Sequence, residues 1–214
     1  HIINTKILHP ANPGSIYHLS KAQDELLFQF YNKMYGLKIT DLHQGVVWGT
    51  NTKETNQHPD LVNRYDYDGD YGTVLNRFIM QSAFNYPLTI HGTGQQVRPF
   101  ININNTADCI LLASEDRKKF NEVKIYNQLT ETFKLIDLAK KIKKITNCKI
   151  SYQKNPRIES ERNTLIAKPV GLIELGLKPI PLSDDLIKKE IEVAKENYQR
   201  LDLKKIVAKS QWKI

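Results

Sequence analysis

Ser15-Ile16-Tyr17-His18-Leu19-Ser20-Lys21 opens a stretch in which Leu19, Ala22, Leu26, Phe30 and Met34 recur at helical spacing, and Gly36 supplies a stop. The pattern predicts a helix over residues 15–34 with its apolar stripe turned to a core. Tyr17 and Lys21 lie four residues apart, so they share a helical face beside that stripe. An ammonium next to a phenol favours the ionised form, which suits a tyrosine to general acid–base work. The spacing alone is weak, because the chain holds 10 tyrosines and 31 lysines and arginines. Later segments of the chain give it weight.

With 214 residues, 40% of them hydrophobic, the chain can bury a real core. No 18-residue apolar run is present, and the start His1-Ile2-Ile3-Asn4-Thr5 lacks a signal-peptide pattern, so no membrane span is expected. Cys109 and Cys148 lack metal-ligand spacing and read as buried, reduced thiols. They favour a reducing compartment, the cytoplasm, or the plastid stroma in a photosynthetic eukaryote. The net charge of +8 suits anionic partners in general. Much of it falls in Lys140-Lys141, Lys143-Lys144, Lys188-Lys189 and Lys204-Lys205, which alternate with apolar positions and read as solvated helix faces. No nucleic-acid reader motif accompanies them, and no nucleic-acid partner is expected.

After Gly36, residues 37–42 read as a strand continued by Gln44-Gly45-Val46-Val47-Trp48-Gly49. A helix joined shortly to a strand suggests a layered α/β fold, in which ligands collect beyond the carboxyl ends of strands. Residues 50–71 form a long polar loop around Arg64-Tyr65-Asp66-Tyr67-Asp68-Gly69-Asp70. Loops of this length usually serve a function, and a substrate-covering role is expected here. Asp66, Asp68 and Asp70 resemble the start of a calcium loop, yet the acid required at the twelfth position is replaced by Arg77, so no metal site is expected. Residues 73–85 read as a second helix and 87–92 as a strand. The turn Gly92-Thr93-Gly94 lacks the lysine and helix start of a nucleotide P-loop. Arg98 carries a planar fork suited to phosphate. Residues 99–103 and 122–128 read as strands. Asn105 is expected to cap a helix over 106–113, and Thr132 one running to 145. A short strand over 149–153 leads to Asn155-Pro156-Arg157, then helices near 170–175 and, capped by Ser183, to about 200.

Tyr17-His18-Leu19-Ser20-Lys21 has the Tyr-x-x-x-Lys form of the short-chain dehydrogenases/reductases. Leu88-Thr89-Ile90-His91-Gly92-Thr93-Gly94-Gln95-Gln96-Val97-Arg98-Pro99-Phe100-Ile101-Asn102-Ile103 resembles the segment with which their nucleotide-sugar branch grips a nucleoside diphosphate. With the run 40–49, Asn63-Arg64-Tyr65-Asp66-Tyr67-Asp68-Gly69, the run 72–78, Asn127-Gln128-Leu129-Thr130-Glu131, Asn155-Pro156-Arg157 and Trp212-Lys213-Ile214, the chain resembles the UDP-sulfoquinovose synthase family. The resemblance spans residues 13–214. It implies NAD as cofactor and UDP-glucose and sulfite as substrates. It also implies Tyr17 as the base at the sugar 4-hydroxyl, Lys21 on the nicotinamide ribose and His18 as a proton handler. Gln44 and Val47 would line the cofactor and sugar. Thr73, Asn76 and Arg98 would hold the diphosphate, the backbone of Leu88, Thr89 and Ile90 the uracil, and Arg157 and Gln128 the sugar nucleotide.

The implied fold is α/β, a partial Rossmann-like doubly wound parallel sheet with a smaller mixed α/β substrate-binding region. Residues 1–50, with returning segments about 99–130, would complete the NAD-binding domain; 51–98 and 131–214 would bind the nucleotide sugar. No glycine-rich strand-turn-helix is present, nor the serine or threonine that precedes the tyrosine in the family. The chain is therefore expected to be an incomplete fragment, inactive alone. Relatives pair through a helix like 15–34, so a homodimer is expected. The competing readings are another nucleotide-sugar epimerase or dehydratase, which would not need sulfite, and a non-catalytic sugar-nucleotide-binding fragment.

Overall fold

The computed structural model describes residue 13 and residues 15–63, 65–69, 71–116, 121–155 and 165–206. The chain divides into two compact units. One comprises residues 13, 15–41 and 121–125; the other comprises 42–63, 65–69, 71–116, 126–155 and 165–206.

In the first unit, α1 (Ile16–Tyr35) forms as its spacing requires. Ser15 stands extended at its N-cap and accepts from the His18 N–H, while Gly36 ends it in the left-handed region, φ 64°, donating to Asn32 O. Glycine takes that conformation without the cost a β-carbon adds, which is why the helix stops there. The expected burial is not found: no α1 residue is buried, and Ile16, Leu26 and Met34 are 70%, 72% and 60% exposed. The stripe exists, but the described residues of this unit leave it open. The Lys124 N–H donates to Ile39 O at 3.0 Å.

The second unit is a layered α/β body. β2 (Val46–Trp48) runs parallel to β4 (Val97–Asn102), with Val47 opposite Ile101, and β4 pairs antiparallel with β6 (Glu131–Lys134). β3 (Leu88–His91) pairs in parallel with β7 (Ile150–Gln153). Along the chain, the boundary between the units falls within β1 (Thr40–Gln44) and again within β5 (Lys124–Gln128). Around these strands lie α2 (Val74–Ala83), α3 (Ile103–Glu115), α4 (Leu135–Thr146), α5 (Val170–Glu174), α6 (Asp184–Glu196) and α7 (Leu203–Ile206). Parallel strands need crossover connections: α2 lies in the one from β2 to β4, and α3 and α4 lie in the one from β3 to β7.

The main core joins Trp48, Phe78, Leu88, Phe100, Leu138, Ile142 and Ile187; a smaller one gathers Ile101, Cys109, Tyr126, Leu172 and Leu177. Both cysteines are buried free thiols, and burial pushes Cys109 up to about 11. The lysines of α4 fall outside its buried Ile136, Leu138, Ala139 and Ile142, and Lys141 reaches Asp184 at 3.1 Å.

Two helix starts differ from expectation. Asn102, not Asn105, caps α3, its side chain accepting from the Asn104 N–H at 2.9 Å. Asn105 lies one turn in and fully buried, accepting from the Ile180 N–H at 2.6 Å and donating to Lys178 O at 3.0 Å. An asparagine near a helix start can serve the helix or a neighbouring segment, and here the neighbour wins. Thr132 lies within β6, and α4 begins after Lys134 without a side-chain cap. The alternation from Glu131 to Lys134 feeds a strand before the helical period takes over.

Asn105→Ala removes the partner of two backbone groups in the segment that follows α5. It is expected to lower stability by about 2 kcal/mol in urea unfolding, with a thermal shift in the same direction.

Candidate functional site

Tyr17, His18 and Lys21 occupy the first turns of α1. The Lys21 ammonium lies 5.9 Å from the centre of the Tyr17 ring. It also bonds Asp24 Oδ2 at 3.1 Å, and that hydrogen bond, with the charge of the carboxylate, raises the lysine pKa. The group bonded to the ammonium is thus a carboxylate that the motif did not single out, although its i,i+3 spacing makes it legible. His18 sets its Nδ1 2.9 Å from Ser15 Oγ and packs edge-on to Tyr17, so its ring is held at the helix start. Tyr17 is 58% exposed, as is the side chain of Lys21.

The other candidates belong to the second unit. Gln44 ends β1 exposed. The next residue, Gly45, donates its N–H to Gln128 O at 2.8 Å. Val47 is half-buried on β2. Thr73 stands extended at the N-cap of α2, its Oγ1 buried without a hydrogen-bond partner, and half-buried Asn76 follows in the first turn. Backbone N–H groups at such a helix start face anions. Leu88, Thr89 and Ile90 are buried; β3 pairs with β7, and the Thr89 N–H donates to Gln81 Oε1 at 2.9 Å. Their side chains thus belong to the core. Half-buried Arg98 lies on β4 and donates from one guanidinium nitrogen to Val97 O at 3.0 Å. Gln128 is buried, its Nε2 donating to Thr106 O at 3.1 Å, so its amide is engaged inside the fold. Arg157 lies outside the described residues.

The long polar stretch 50–71 holds two short 3-10 turns, Thr55–Gln57 and Pro59–Leu61, and no strand among its described residues. It walls a cavity of about 750 Å³ together with the end of α6 and the residues after it. Tyr65, Tyr67, Tyr71, Asp66, Asn197 and Arg200 are among its lining residues; Gln44, Val47, Thr73, Asn76, Arg98 and Gln128 are not. The loop is legible in the sequence, but the α6 residues opposite it are not, because they sit on a helix that reads as ordinary amphipathic packing. The loop is anchored: Tyr65 Oη donates to the Glu190 carboxylate, and the Asp202 N–H donates to Tyr67 Oη at 2.8 Å.

Residues 3–127 match the NAD dependent epimerase/dehydratase family. The chain belongs to that family. Among curated epimerase/dehydratase relatives, it is 40% identical to the chloroplastic UDP-sulfoquinovose synthase of Spinacia oleracea over 210 residues, 96% of this chain and 44% of the relative. It is 31% identical to the UDP-sulfoquinovose synthase of Sulfolobus acidocaldarius, over 97% of this chain and 54% of the relative. The chain thus spans about half the length of these relatives. In fold it resembles the UDP-glucuronic acid 4-epimerase of Bacillus cereus, solved with UDP-glucuronic acid and NAD. The TM-score is 0.67 at 23% identity, covering 87% of this chain and 55% of that one. It also resembles the UDP-glucose 4-epimerase of Thermotoga maritima, solved with UDP-glucose, at TM-score 0.68 and 22% identity, covering 91% and 59%. These likenesses establish the Rossmann-like α/β fold of the epimerase/dehydratase family for this chain.

Gly72, between the loop and α2, has backbone packed against its α-carbon: a β-carbon there would lie 2.4 Å from Asp68 O and 2.5 Å from the Tyr67 carbonyl carbon. Gly72→Ala must displace the loop from the helix start. The expected cost is about 1–3 kcal/mol, read as a lowered midpoint in thermal unfolding.

Proposed function

We propose that the chain is the later part of a UDP-sulfoquinovose synthase. Such an enzyme makes UDP-sulfoquinovose from UDP-glucose and sulfite. The 40% identity to the spinach enzyme across 96% of the chain carries this reading. In it, residues 1–50, with about 99–130, complete the NAD-binding domain. Residues 51–98 and 131–214 bind the nucleotide sugar.

The open face of α1 fits a cofactor laid across Tyr17 and Lys21, since both side chains are more than half exposed. NAD, when bound, supplies a reversible hydride acceptor at sugar C4, and Lys21 holds its ribose hydroxyls. Tyr17 takes the proton of the 4-hydroxyl. With C4 a ketone, the C5 hydrogen becomes acidic. His18 receives that proton and passes it to the departing C6 hydroxyl, which leaves as water. The sulfur lone pair of sulfite, present as hydrogensulfite, then adds to C6 of the enone, and the proton it carried goes to C5. Tyr17 returns its proton to O4 when C4 is reduced again. The sum is UDP-glucose plus sulfite giving the sulfonated sugar nucleotide plus water, with no net oxidation of the cofactor.

Thr73 and Asn76 at the start of α2 favour the diphosphate, with Arg98 as its clamp, and Arg157 is a second cation at the sugar nucleotide. The uracil contacts come from the backbone of Leu88, Thr89 and Ile90, because their side chains are buried. Gln44 and Val47 line the cofactor and sugar, and Gln128, whose backbone oxygen accepts from the Gly45 N–H, stands on the substrate side. The exposed stripe of α1 supports a homodimer. Two buried free thiols suit a reducing compartment, cytoplasm or plastid stroma. No helix among the described residues is long and apolar enough to cross a membrane.

The test is product mass after incubating the protein, expressed with the reading frame that precedes His1, with UDP-glucose and NAD, with and without sulfite. The expected product is a sulfonated nucleotide sugar formed only with sulfite and lost in Tyr17→Phe. A dehydrated or epimerised sugar indifferent to sulfite would move the chain to another epimerase/dehydratase activity. UDP-glucose binding without any product would make it a binding module.

Arg98→Lys keeps the charge but loses the fork. It is expected to raise KM for UDP-glucose about tenfold while kcat changes less, measured by initial rates.

A further inference from the structure

α6 turns Ile187, Glu190, Ile191 and Ala194 to the core. Three of these are the apolar residues such a stripe requires. The fourth is a carboxylate, only 5% exposed. A buried acid is costly unless its oxygens are satisfied. Here Tyr65 Oη donates to Oε2 and lies 3.2 Å from the Glu190 carbonyl oxygen, while Thr50 Oγ1 donates to the same Oε2 at 3.4 Å. Thr50 and Tyr65 are the two ends of the 50–65 loop. The Asn63 N–H also donates to Thr50 O at 2.7 Å, which closes the loop at its base. One side chain on a distant helix thus holds both ends of a segment that has no strand and little helix among its described residues. Both ends, with Val193 and Ala194 a turn further along α6, line the cavity.

We propose that Glu190 is a positioning residue, pinning the 50–65 loop to α6 through Tyr65 and Thr50 and so holding in place the loop that covers the sugar nucleotide. The consequence for substrate rests on the proposed nucleotide-sugar function; the pinning does not. The titratable and charged groups that act on Glu190 are Tyr65, through its hydrogen bond, and the neighbouring Lys189. Burial raises the Glu190 pKa above the usual carboxylate range and keeps Tyr65 protonated. A group that binds its proton more tightly in the closed loop favours closure below the ordinary glutamate pKa. That advantage is lost as pH rises through the raised value.

Hydrogen exchange of the ligand-free protein tests the pinning. Glu190→Ala is expected to speed exchange of amides 51–63 about tenfold, with α2 and β3 unchanged. Glu190→Gln, which keeps a neutral hydrogen-bonding side chain, is expected to retain slow exchange and to lose the decline of protection with pH seen in the parent. Pairing Glu190→Leu with Tyr65→Phe removes acid and phenol together and is expected to recover most of the protection that Glu190→Leu alone loses. Unchanged exchange at 51–63 in Glu190→Ala, or acceleration spread equally through α2 and β3, would overturn the pinning. UDP-glucose titration reads the second half: the expected Kd rises about tenfold in Glu190→Ala and stays near the parent value in Glu190→Gln. A loosened loop with unchanged affinity overturns the positioning role. A parent protein that binds no UDP-glucose overturns the nucleotide-sugar function beneath it.

Discussion

The side-chain amide of Gln81 is the constraint around which the larger unit assembles. It sits on α2 with no exposed surface and makes three hydrogen bonds: Nε2 donates to Thr89 Oγ1 and to Ile206 O, and Oε1 accepts from the Thr89 N–H. An unsatisfied buried amide would cost roughly 1–3 kcal/mol per lost partner, so α2, β3 and α7 must settle in one register for all three bonds to form. Apolar contacts between Phe78, Leu88 and Ile142 supply the attraction, but attraction between smooth surfaces permits sliding. The amide removes that freedom. Once β3 is fixed, β7 pairs beside it, and the start of α2 is fixed relative to the strand that comes after the helix.

A second polar constraint does related work on the other sheet. Thr130 donates its N–H and its hydroxyl to Phe100 O, and Glu131 Oε1 accepts from the Leu182 N–H at 2.5 Å. Burial raises the pKa of Glu131, yet the backbone bond holds it in place. The segment entering α6 is therefore tied to the start of β6. Helices whose own ends carry few side-chain caps, such as α4, are located by these tertiary bonds and by their apolar faces.

Much of this was legible. The 3.6-residue period and Gly36 gave α1 nearly to the residue, and Ser183 gave the start of α6, because caps and stops are local chemistry. Free buried thiols followed from apolar surroundings. What escaped was tertiary. Asn105 reads as a cap until the 178–180 segment claims it, and Thr132 reads as a cap until β4 recruits it into a strand. The stripe of α1 reads as buried because periodicity reports amphipathicity and not the partner that covers it. Among the candidate site residues, Tyr17 and Lys21 came from spacing, whereas Asp24 beside Lys21 and Glu190 beneath the loop needed coordinates. Nothing in Lys188-Lys189-Glu190 distinguishes the one acid that turns inward from its solvated neighbours.

Both cysteines of the chain are reduced and covered, Cys109 on the inner side of α3 and Cys148 against Ser82 O. Burial that lifts the Cys109 thiol to about 11 keeps it protonated near neutral pH, where it is a poor nucleophile. A cysteine placed by design on the exposed tip of the 50–71 segment would therefore be the one addressable thiol of the native chain. A fluorophore or spin label attached there would watch that segment alone, with no need to strip the native sulfurs from the core first.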